Sequence, residues 1–434
     1  MSTFMGVPGS IYHVGYAGMS VSVPGIAFSM LIPALLVGRR LITLGHRYKM
    51  LTMADYLADR YESTGIRGLL AVLMLVFLVS MMGAQTIGGG VIFTTYTGAP
   101  EWVGITVMGV TVILYCMAGG IRSIMLTDLI QGVLMVVTAV VTFFVSLELG
   151  GGLDVINAKL AAMDTNYVSF PGHNNSYPWQ NYVSMIVMWS FFAIGQPHLF
   201  TKFFTMKDHR TMFKAVILGT LGMWFSASFI EWCGVTGIIA FPGLEGKNSD
   251  FVVPLILQGG LSPVLSSLMV AGIFSAGMST ISSLLLTATS AASRDLYQKI
   301  LKRDATDEET WRLSKVITVV LGIIAIGIGI SKPGSIFQIV LFAFGGLGIW
   351  AAPILLGMYW RRATTTSVYV GVIAAEILYV FITLEFPSWS FGFNPLIVAW
   401  AFAMVVMILV SLVTKPVSDA TIRRHFDDLD RHAD

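Results

Sequence analysis

The sequence is poor in charge and in cysteine. Only 12% of its 434 residues are Asp, Glu, Lys or Arg, about half the share found in soluble globular proteins, and 55% are hydrophobic. So few charged residues cannot cover the surface of several soluble domains, which excludes a soluble enzyme, a disordered chain and a nucleic-acid-binding protein. Cys116 and Cys233 lie in separate apolar runs, so neither a disulfide framework nor a thiolate metal site is predicted.

Patterns of catalytic and cofactor-binding proteins are missing as well. There is no Walker, GxGxxG or HExxH pattern, and no histidine pair has the spacing of metal ligands. Residues 1–6 carry no basic n-region, so no cleavable signal peptide is predicted. No nucleophile or acid–base pair converges either, and the chain is not predicted to be an enzyme.

Long apolar segments recur instead along the whole chain. A transmembrane helix needs about 20 mostly apolar residues, and the mean hydropathy of the chain is +0.78. The pattern predicts an all-α polytopic membrane protein embedded in a lipid bilayer. The predicted spans are 19–37, 68–92, 102–118, 127–149, 182–201, 213–240, 263–290, 314–331, 335–359, 364–384 and 394–414.

Basic residues are divided unequally between the loops. All 26 lysines and arginines except Lys159, Lys247 and Lys332 fall in alternate loops on one side, the basic face. Because cytoplasmic loops carry an excess of Lys and Arg, we expect this face to be cytoplasmic and the other, the opposite face, to be external. The sequence therefore predicts a multi-pass protein of the plasma (inner) membrane with a cytoplasmic C-terminus.

Glycine and proline interrupt two apolar segments, at residues 6–9 (GVPG) and 195–198 (GQPH). Lipid cannot satisfy the backbone groups freed by a helix break, so such breaks line cavities, although a simple kink against a neighbouring helix is the alternative. Four further spans follow each break, which makes two units of five helices. Five is odd, so the second unit crosses the membrane in the opposite sense. This predicts a five-plus-five inverted-repeat transporter core with a broken first helix in each repeat, plus two extra C-terminal helices.

These units define the expected domain organisation. It consists of a first inverted repeat at 1–150 with an incomplete first helix, an extracellular loop at 151–181, a second inverted repeat at 182–360, two flanking transmembrane helices at 361–414 and a cytoplasmic tail at 415–434.

Small and hydroxyl side chains form a stripe in the span 263–290. Ala276, Ser279, Thr280 and Ser283 recur at spacings of three and four, so they share one face of a helix. Their hydroxyl and carbonyl oxygens suit a hard cation such as sodium. The same side chains also suit helix packing, with each hydroxyl bonded to its own i−4 carbonyl. The residues alone leave both interpretations open.

Several motifs resemble those of the sodium/solute symporter family. In family order over nearly the whole chain, they are residues 54–61 (ADYLADRY), 119–131 (GGIRSIMLTDLIQ), 195–198 (GQPH), 276–283 (AGMSTISS), 294–297 (RDLY) and 343–346 (AFGG). Residues 2–9, 85–89 and 358–363 resemble the sodium/pantothenate branch more closely. The resemblance implies sodium-coupled uptake of a small organic solute by alternating access, with no cofactor other than the coupling ion.

The resemblance also implies roles for single residues. Ala276, through its carbonyl, and Ser279 and Thr280, through their hydroxyls, correspond to sodium-binding residues. Asp128 corresponds to an acid on the cytoplasmic sodium pathway, although its place at the start of a helix leaves a plain N-terminal role open. The positions that correspond to substrate-binding residues are Gln85, Trp189, Gln196, Pro197 and Phe344.

Three departures from the family pattern bear on the interpretation. Ala193 stands where sodium/proline members have tyrosine, which argues against proline as the solute. The break reads Gln-Pro-His where the pantothenate branch has Leu-Pro-His, so the solute stays open among carboxylates, amino acids and vitamins such as pantothenate. The chain also starts at or just past the first break, and we interpret Met1 as an internal methionine of a longer protein.

Two alternative functions remain. One is proton coupling on the same fold, with Asp128 or Glu376 as the carrier, and the other is a solute sensor that does not transport. Glu376 lies in mid-span, where a carboxylate costs on the order of 2.5–3.5 kcal/mol, and a structural role is favoured for it. Glu231 is expected near the opposite face, in contact with solvent.

Overall fold

The computed structural model describes residues 1–428, except the side chains of residues 119–126. Every regular element in that part of the chain is helical. Ten helices are long and apolar enough to cross a membrane, and a bent pair makes eleven. Each predicted span coincides with one of them, which confirms the all-α polytopic fold. The first eight residues of the 119–131 motif and the end of the tail, 429–434, lie outside this description.

The helices are named in chain order. They are α1 (Val7–Val14), α2 (Tyr16–Tyr48), α3 (Met53–Arg60), α4 (Thr64–Thr97), α5 (Glu101–Ala118), α6 (Thr127–Gly150), α7 (Leu153–Met163), α8 (Trp179–Ile194), α9 (Pro197–Phe204), α10 (His209–Ala240), α11 (Val252–Gly260), α12 (Pro263–Leu301), α13 (Asp307–Ser331), α14 (Ile336–Tyr359), α15 (Thr365–Leu384), α16 (Pro395–Val413) and α17 (Asp419–Ile422).

Helices α5 and α6 both pack on the same stretch of α12. A Cβ on Gly277 of α12 would overlap Met108 of α5, and a Cβ on Gly272 of the same helix would overlap Thr138 of α6. If α5 and α6 formed one straight helix, Met108 and Thr138 would be about 45 Å apart, whereas Gly272 and Gly277 are separated by only about 7.5 Å along α12. The chain therefore reverses direction between α5 and α6, as two separate spans require.

Two kinds of contact between a helix of the first unit and a helix of the second unit occur again with the two units interchanged. The first helix of each unit packs on the second helix of the other, α1 on α10 and α8 on α2. The third helix of each unit likewise packs on the fifth of the other, α4 on α14 and α12 on α6. A pseudo-two-fold axis between inverted repeats produces this exchange, so the packing agrees with the five-plus-five core. The two extra helices, α15 and α16, pack on each other and on α14.

The first interruption takes the form of a widened turn. Gly6 and Val7 both have right-handed helical dihedral angles, and a π turn covers Ser2–Gly6 immediately before α1. Pro8 cannot donate to the preceding turn, and its ring crowds the carbonyl four residues earlier, which a wider turn relieves. Residues 6–9 are therefore helical, where the sequence had predicted a break in the helix.

The second interruption falls where the sequence predicts it. A 3-10 turn at Phe192–Ile194 ends α8, Gln196 is extended, and Pro197 opens α9. The two helices meet at 49°. A Cβ on Gly195 would overlap the carbonyl oxygen of Leu347, so only glycine lets this backbone approach α14 so closely.

The tail docks on the segment around α3. The carboxylate of Glu62 accepts hydrogen bonds from the Ser418 backbone at 3.2 Å and from the Thr421 hydroxyl at 2.6 Å. Asp59 pairs with Arg424 and, at 2.7 Å, with His425. Loops that the sequence assigns to the basic face are therefore in contact with one another.

Candidate functional site

The small and hydroxyl residues of α12 point partly toward the helix bundle. Ala276 is buried, and Ser279 and Thr280 are half-buried. The Thr280 hydroxyl donates to the Ala276 carbonyl at 2.9 Å, and the Ser282 hydroxyl donates to the Ser279 carbonyl at 2.9 Å. These bonds within the helix use the hydroxyl protons and leave oxygen lone pairs available. The geometry is therefore compatible with helix packing and with cation binding together.

Asp128 faces this stretch from the first turn of α6. Its half-buried side chain is hydrogen-bonded to the side chain of Ser279. Its Oδ1 atom has no partner among the described atoms, and the charge of Lys202 in α9 acts on it. The structure thus brings together two residues that the sequence assigned to one sodium route. A role at the helix N-terminus remains compatible with the same position.

The start of the chain packs between α4 and α12. The Met1 side chain lies against both Gly88 and Gly277, where an added Cβ would come within 2.9 Å of it. The Ser2 backbone N–H donates to Gln85 Oε1 at 3.4 Å. Gln85 is buried, and its Nε2 atom has no partner among the described atoms. Gln85 therefore faces the first helix of the first repeat.

Aromatic rings surround the second break. The ring centroids of Trp189 and Phe344 are 5.8 Å apart, and Phe192 packs on Phe344 at 4.7 Å. The fully buried Gln196 donates through Nε2 to the Phe344 carbonyl at 3.3 Å, while its Oε1 has no partner among the described atoms. Four of the five predicted substrate residues, Trp189, Gln196, Pro197 and Phe344, thus meet at the break, and the described contact of the fifth, Gln85, is with the chain start.

A cavity of about 640 Å³ leads from this break to the basic face. It extends from Pro197 to Asp307 and Trp311 at the start of α13, where Trp311 is exposed. Its lining is rich in hydroxyl groups, including those of Thr201, Thr287, Thr289, Ser290, Ser293 and Ser314. These hydroxyl groups can form hydrogen bonds with a polar solute, while Met53, Met74 and Leu286 give the cavity apolar walls.

Ion pairs join three segments at the mouth of this cavity. Arg67 of α4 contacts Asp55 of α3 at 2.8 Å and Asp295 at the end of α12 at 2.6 Å. Arg294 adds a second contact to Asp55 at 3.2 Å. Burial alone would raise the pKa of Asp55, but Arg294 and Arg67 outweigh it and hold that pKa below its usual value. Asp55 is therefore ionised at neutral pH. The ion pairs of this cluster hold α3, α4 and α12 together.

The sequence analysis missed or misplaced several groups. Phe192 was not singled out, although it follows Trp189 by three residues and therefore shares its helix face. Glu231 is fully buried and accepts a hydrogen bond from Ser22 at 2.7 Å, so the expectation of a solvated side chain was wrong. Glu376 is nearly buried beside a lateral groove between α4, α14 and α15, and neither of its carboxyl oxygens has a partner among the described atoms.

Known proteins resemble this chain over most of its length. The sequence pattern described as "SSF: Sodium:solute symporter family" matches residues 1–375. The sodium/pantothenate symporter of Escherichia coli (strain K12) is 29% identical over 428 residues, which cover 97% of this chain and 87% of the relative. The sodium/proline symporter of Staphylococcus aureus is 26% identical over 95% of this chain and 82% of the relative.

Two solved structures share the fold. A Na+-coupled sialic acid symporter in a substrate-bound outward-open state has a TM-score of 0.77 at 20% identity, covering 96% of this chain and 88% of that one. A transporter of the nucleobase-cation-symport-1 family in a closed conformation has a TM-score of 0.59 at 14% identity, covering 99% of this chain and 92% of that one. At these identities the likeness concerns the architecture alone.

Proposed function

Because the chain belongs to the sodium:solute symporter family and is a sodium-coupled symporter, not an enzyme, we propose that it imports a small organic solute that carries a carboxylate. Import runs by alternating access from the opposite face to the basic face, which lies in the cytoplasm of a cell whose plasma (inner) membrane holds the protein. One observation carries the proposal: the hydroxyl-lined cavity reaches Pro197 of the second break, next to the buried side chain of Gln196.

The proposed sodium ligands are the Ala276 carbonyl and the Ser279 and Thr280 hydroxyls. A hard cation prefers oxygen ligands, and neutral oxygens inside a membrane bind a monovalent ion without burying a permanent charge. Asp128 lies on the basic-face side of this group, where its carboxylate attracts the ion leaving Ser279. Release toward the basic face then passes along one hydrogen-bonded contact.

The proposed solute site lies between the second break and Gln85 of α4. Trp189 and Phe344 provide apolar walls, Pro197 shapes the backbone, and Gln85 and Gln196 each have a buried amide atom without a partner among the described atoms. The free Nε2 of Gln85 suits a carboxylate, and the free Oε1 of Gln196 suits an N–H or O–H donor. Pantothenate, named for the E. coli relative, offers both groups, and Ala193 leaves room that a tyrosine would fill.

The division of the chain belongs to the same proposal. The two inverted repeats are 1–150 and 182–360, and they move relative to each other around the site between them. The loop 151–181 lies outside, the helices in 361–414 flank the core, and the tail 415–434 lies in the cytoplasm.

Sodium binding tests the proposal directly. We expect saturable binding of radioactive sodium to the purified protein, and a decrease in affinity of about tenfold or more, roughly 1.4 kcal/mol, in the Ser279→Ala, Thr280→Ala double variant. Ser275→Ala is the matched control, because the Ser275 hydroxyl bonds the Ala271 carbonyl of the same helix at 2.8 Å outside the proposed site. Equal affinities in the double variant and the wild type would refute the assignment.

Uptake into vesicles separates the competing functions. Labelled pantothenate and proline are offered under a sodium gradient and, separately, under a pH gradient without sodium. Sodium-driven accumulation of pantothenate supports the proposal, and accumulation driven by the pH gradient alone supports proton coupling. Binding of a solute without accumulation under either gradient supports a sensor.

A further inference from the structure

A carboxyl group is buried without a cationic partner in the seam between α1, α2 and α10. Glu231 of α10 is 0% exposed, and its one described hydrogen bond joins Oε2 to the Ser22 hydroxyl of α2 at 2.7 Å. Its Oε1 atom has no partner, and no lysine, arginine or histidine within the described residues forms an ion pair with it. An ionised carboxylate in such surroundings is strongly disfavoured, so a cation must neutralise it.

The hydrogen bonds around Ser22 favour a proton as that cation. The Ser22 hydroxyl has a single proton but two acceptors within reach, Glu231 Oε2 at 2.7 Å and the Gly18 carbonyl at 3.1 Å. With an ionised Glu231, the Ser22 hydroxyl can donate to Oε2, but the charged Oε1 is left without a donor. With a protonated Glu231, its O–H donates to the Ser22 oxygen, the Ser22 hydroxyl donates to the Gly18 carbonyl, and the remaining carboxyl oxygen carries no charge.

A metal cation fits this place poorly. A hard metal ion takes about six oxygen ligands, whereas the two carboxyl oxygens of Glu231 and the hydroxyl of Ser22 supply three. Elements packed on this part of α10 add few others. The titratable groups that face it are Tyr12 from α1, Tyr16 from α2 and Tyr177 from the segment before α8. The side chains from α6, α7 and α11 that pack here are apolar, Phe143, Ile156 and Val252.

A small cavity lies next to Ser22, and Glu231 is not among the residues that line it. It measures about 10 Å³, the lower limit for one water molecule, and its lining includes Ser10, Ser22, Tyr177 and Trp189. Tyr177 is hydrogen-bonded to Ser10 and belongs to the loop on the opposite face. Hydroxyl groups therefore run from Glu231 toward that face.

The seam around Glu231 is held closed by close backbone packing. A Cβ on Gly234 of α10 would overlap the carbonyl oxygen of Pro8 in α1. Separation of α1 from α10 would let water reach Glu231 and would stabilise its ionised form. Conversely, protonation of Glu231 favours the closed seam.

We propose that Glu231 is a proton-binding site, distinct from the hydroxyl stretch of α12. The proton bound to Glu231 keeps α1 packed against α2 and α10. The proton binds one carboxyl oxygen when the seam closes and leaves by Ser22 and the small cavity to water at the opposite face when it opens. This inference goes beyond sodium coupling and does not rest on it.

A native thiol reports on the seam. Cys233 is fully buried two residues from Glu231, and Cys116→Ser leaves it as the sole cysteine of the chain. In that background we expect the rate of Cys233 labelling by a small water-soluble maleimide to rise with pH, and Glu231→Gln to lower the rate at high pH. Ionisation of the thiol changes the labelling rate with pH in both proteins, so the readout is the ratio of the wild-type rate to the Glu231→Gln rate. This ratio should increase by up to about tenfold per pH unit for one linked proton. Glu376→Gln removes another buried carboxyl group of the membrane region and is the matched control. For this variant we expect the ratio of wild-type to variant labelling rates to stay unchanged with pH.

Infrared spectroscopy provides the second measurement. The band of a protonated carboxylic acid is expected in the wild-type protein at neutral pH and in Glu376→Gln, with a component that disappears in Glu231→Gln. Absence of that component would overturn the proposal, because Glu231 would then be ionised. Superimposable labelling ratios in Glu231→Gln and wild type would overturn it too, because the proton would then have no effect on the seam. Neither measurement uses sodium or a solute, so a failure here is distinguishable from a failure of the proposed transport function.

Discussion

Replacement of Arg67 by glutamine should destabilise the folded protein more than the loss of an exposed ion pair does. Arg67 is 11% exposed and neutralises Asp295, which is 2% exposed, and Asp55, which is 12% exposed. Loss of one partner of a buried ion pair costs about 3–5 kcal/mol, because the remaining charge stays buried without compensation. Asp55 keeps Arg294 at 3.2 Å, so the cost falls mainly on Asp295.

The expected magnitude can be measured by thermal unfolding in detergent. At roughly 2 °C per kcal/mol, Arg67→Gln should lower the melting temperature by about 6–10 °C. The double variant Arg67→Gln, Asp295→Asn removes the uncompensated charge and should recover most of that loss. Arg312→Gln breaks an exposed pair with Glu308, whose side chains are 73% and 70% exposed, and serves as the control with a change of about 1 kcal/mol or less.

Two results would refute this reasoning. The first is a melting temperature of Arg67→Gln equal to that of Arg312→Gln, because the buried pair would then contribute no more than an exposed one. The second is a double variant as unstable as Arg67→Gln, because the destabilisation would then not arise from the charge left on Asp295.

Two more predictions concern Asp250, in a loop on the opposite face, and the second break. Burial raises the pKa of Asp250 to about 6 from its usual 3.8, although the Ile336 N–H bonds it at 3.0 Å. The folded state then binds more protons than the unfolded state, so stability falls as pH rises from about 4 to 6. Asp250→Asn should raise the free energy of unfolding by up to roughly 3 kcal/mol at pH 8 but by only about 0.5 kcal/mol at pH 4, as measured by thermal unfolding; equal shifts at both pH values would contradict it. Gly195→Ala should destabilise by about 1–3 kcal/mol, because its Cβ overlaps the Leu347 carbonyl oxygen. Gly132→Ala, whose Cβ meets no atom of another helix within 4 Å, should not destabilise in the same melting assay; similar losses in the two variants would argue against the close approach.

The helices and the second break could be predicted because both depend on neighbours in the chain. A run of about 20 apolar residues is enough to identify a span, and Gly195 with Pro197 is enough to weaken one. The form of the first interruption could not be predicted in this way. Whether Pro8 unwinds a helix or only widens a turn depends on the helices packed around it.

The partners and the burial of single polar groups were harder to predict. Asp128 and Ser279 are 151 positions apart in the sequence, and only the family resemblance suggested a shared role. Glu231 was misjudged because its position in an apolar run gives its depth in the membrane but not the helices that cover it. The contact of α1 with α10 is what removes it from water.

Composition and periodicity determined that the described part of this chain has ten helices, or eleven with the bent pair, that are long and apolar enough to cross a membrane, predicted two units of opposite sense, and located the hydroxyl and Gly–Pro motifs. These properties follow from the free energy of placing each local stretch in lipid or water, which needs no knowledge of distant residues. Tertiary structure decided which motifs meet: Asp128 with Ser279, Gln196 with Phe344, and Glu231 with Ser22. Those meetings depend on how helices far apart in the sequence pack, because inside a bilayer a polar atom is stabilised by whichever partner the neighbouring helix presents.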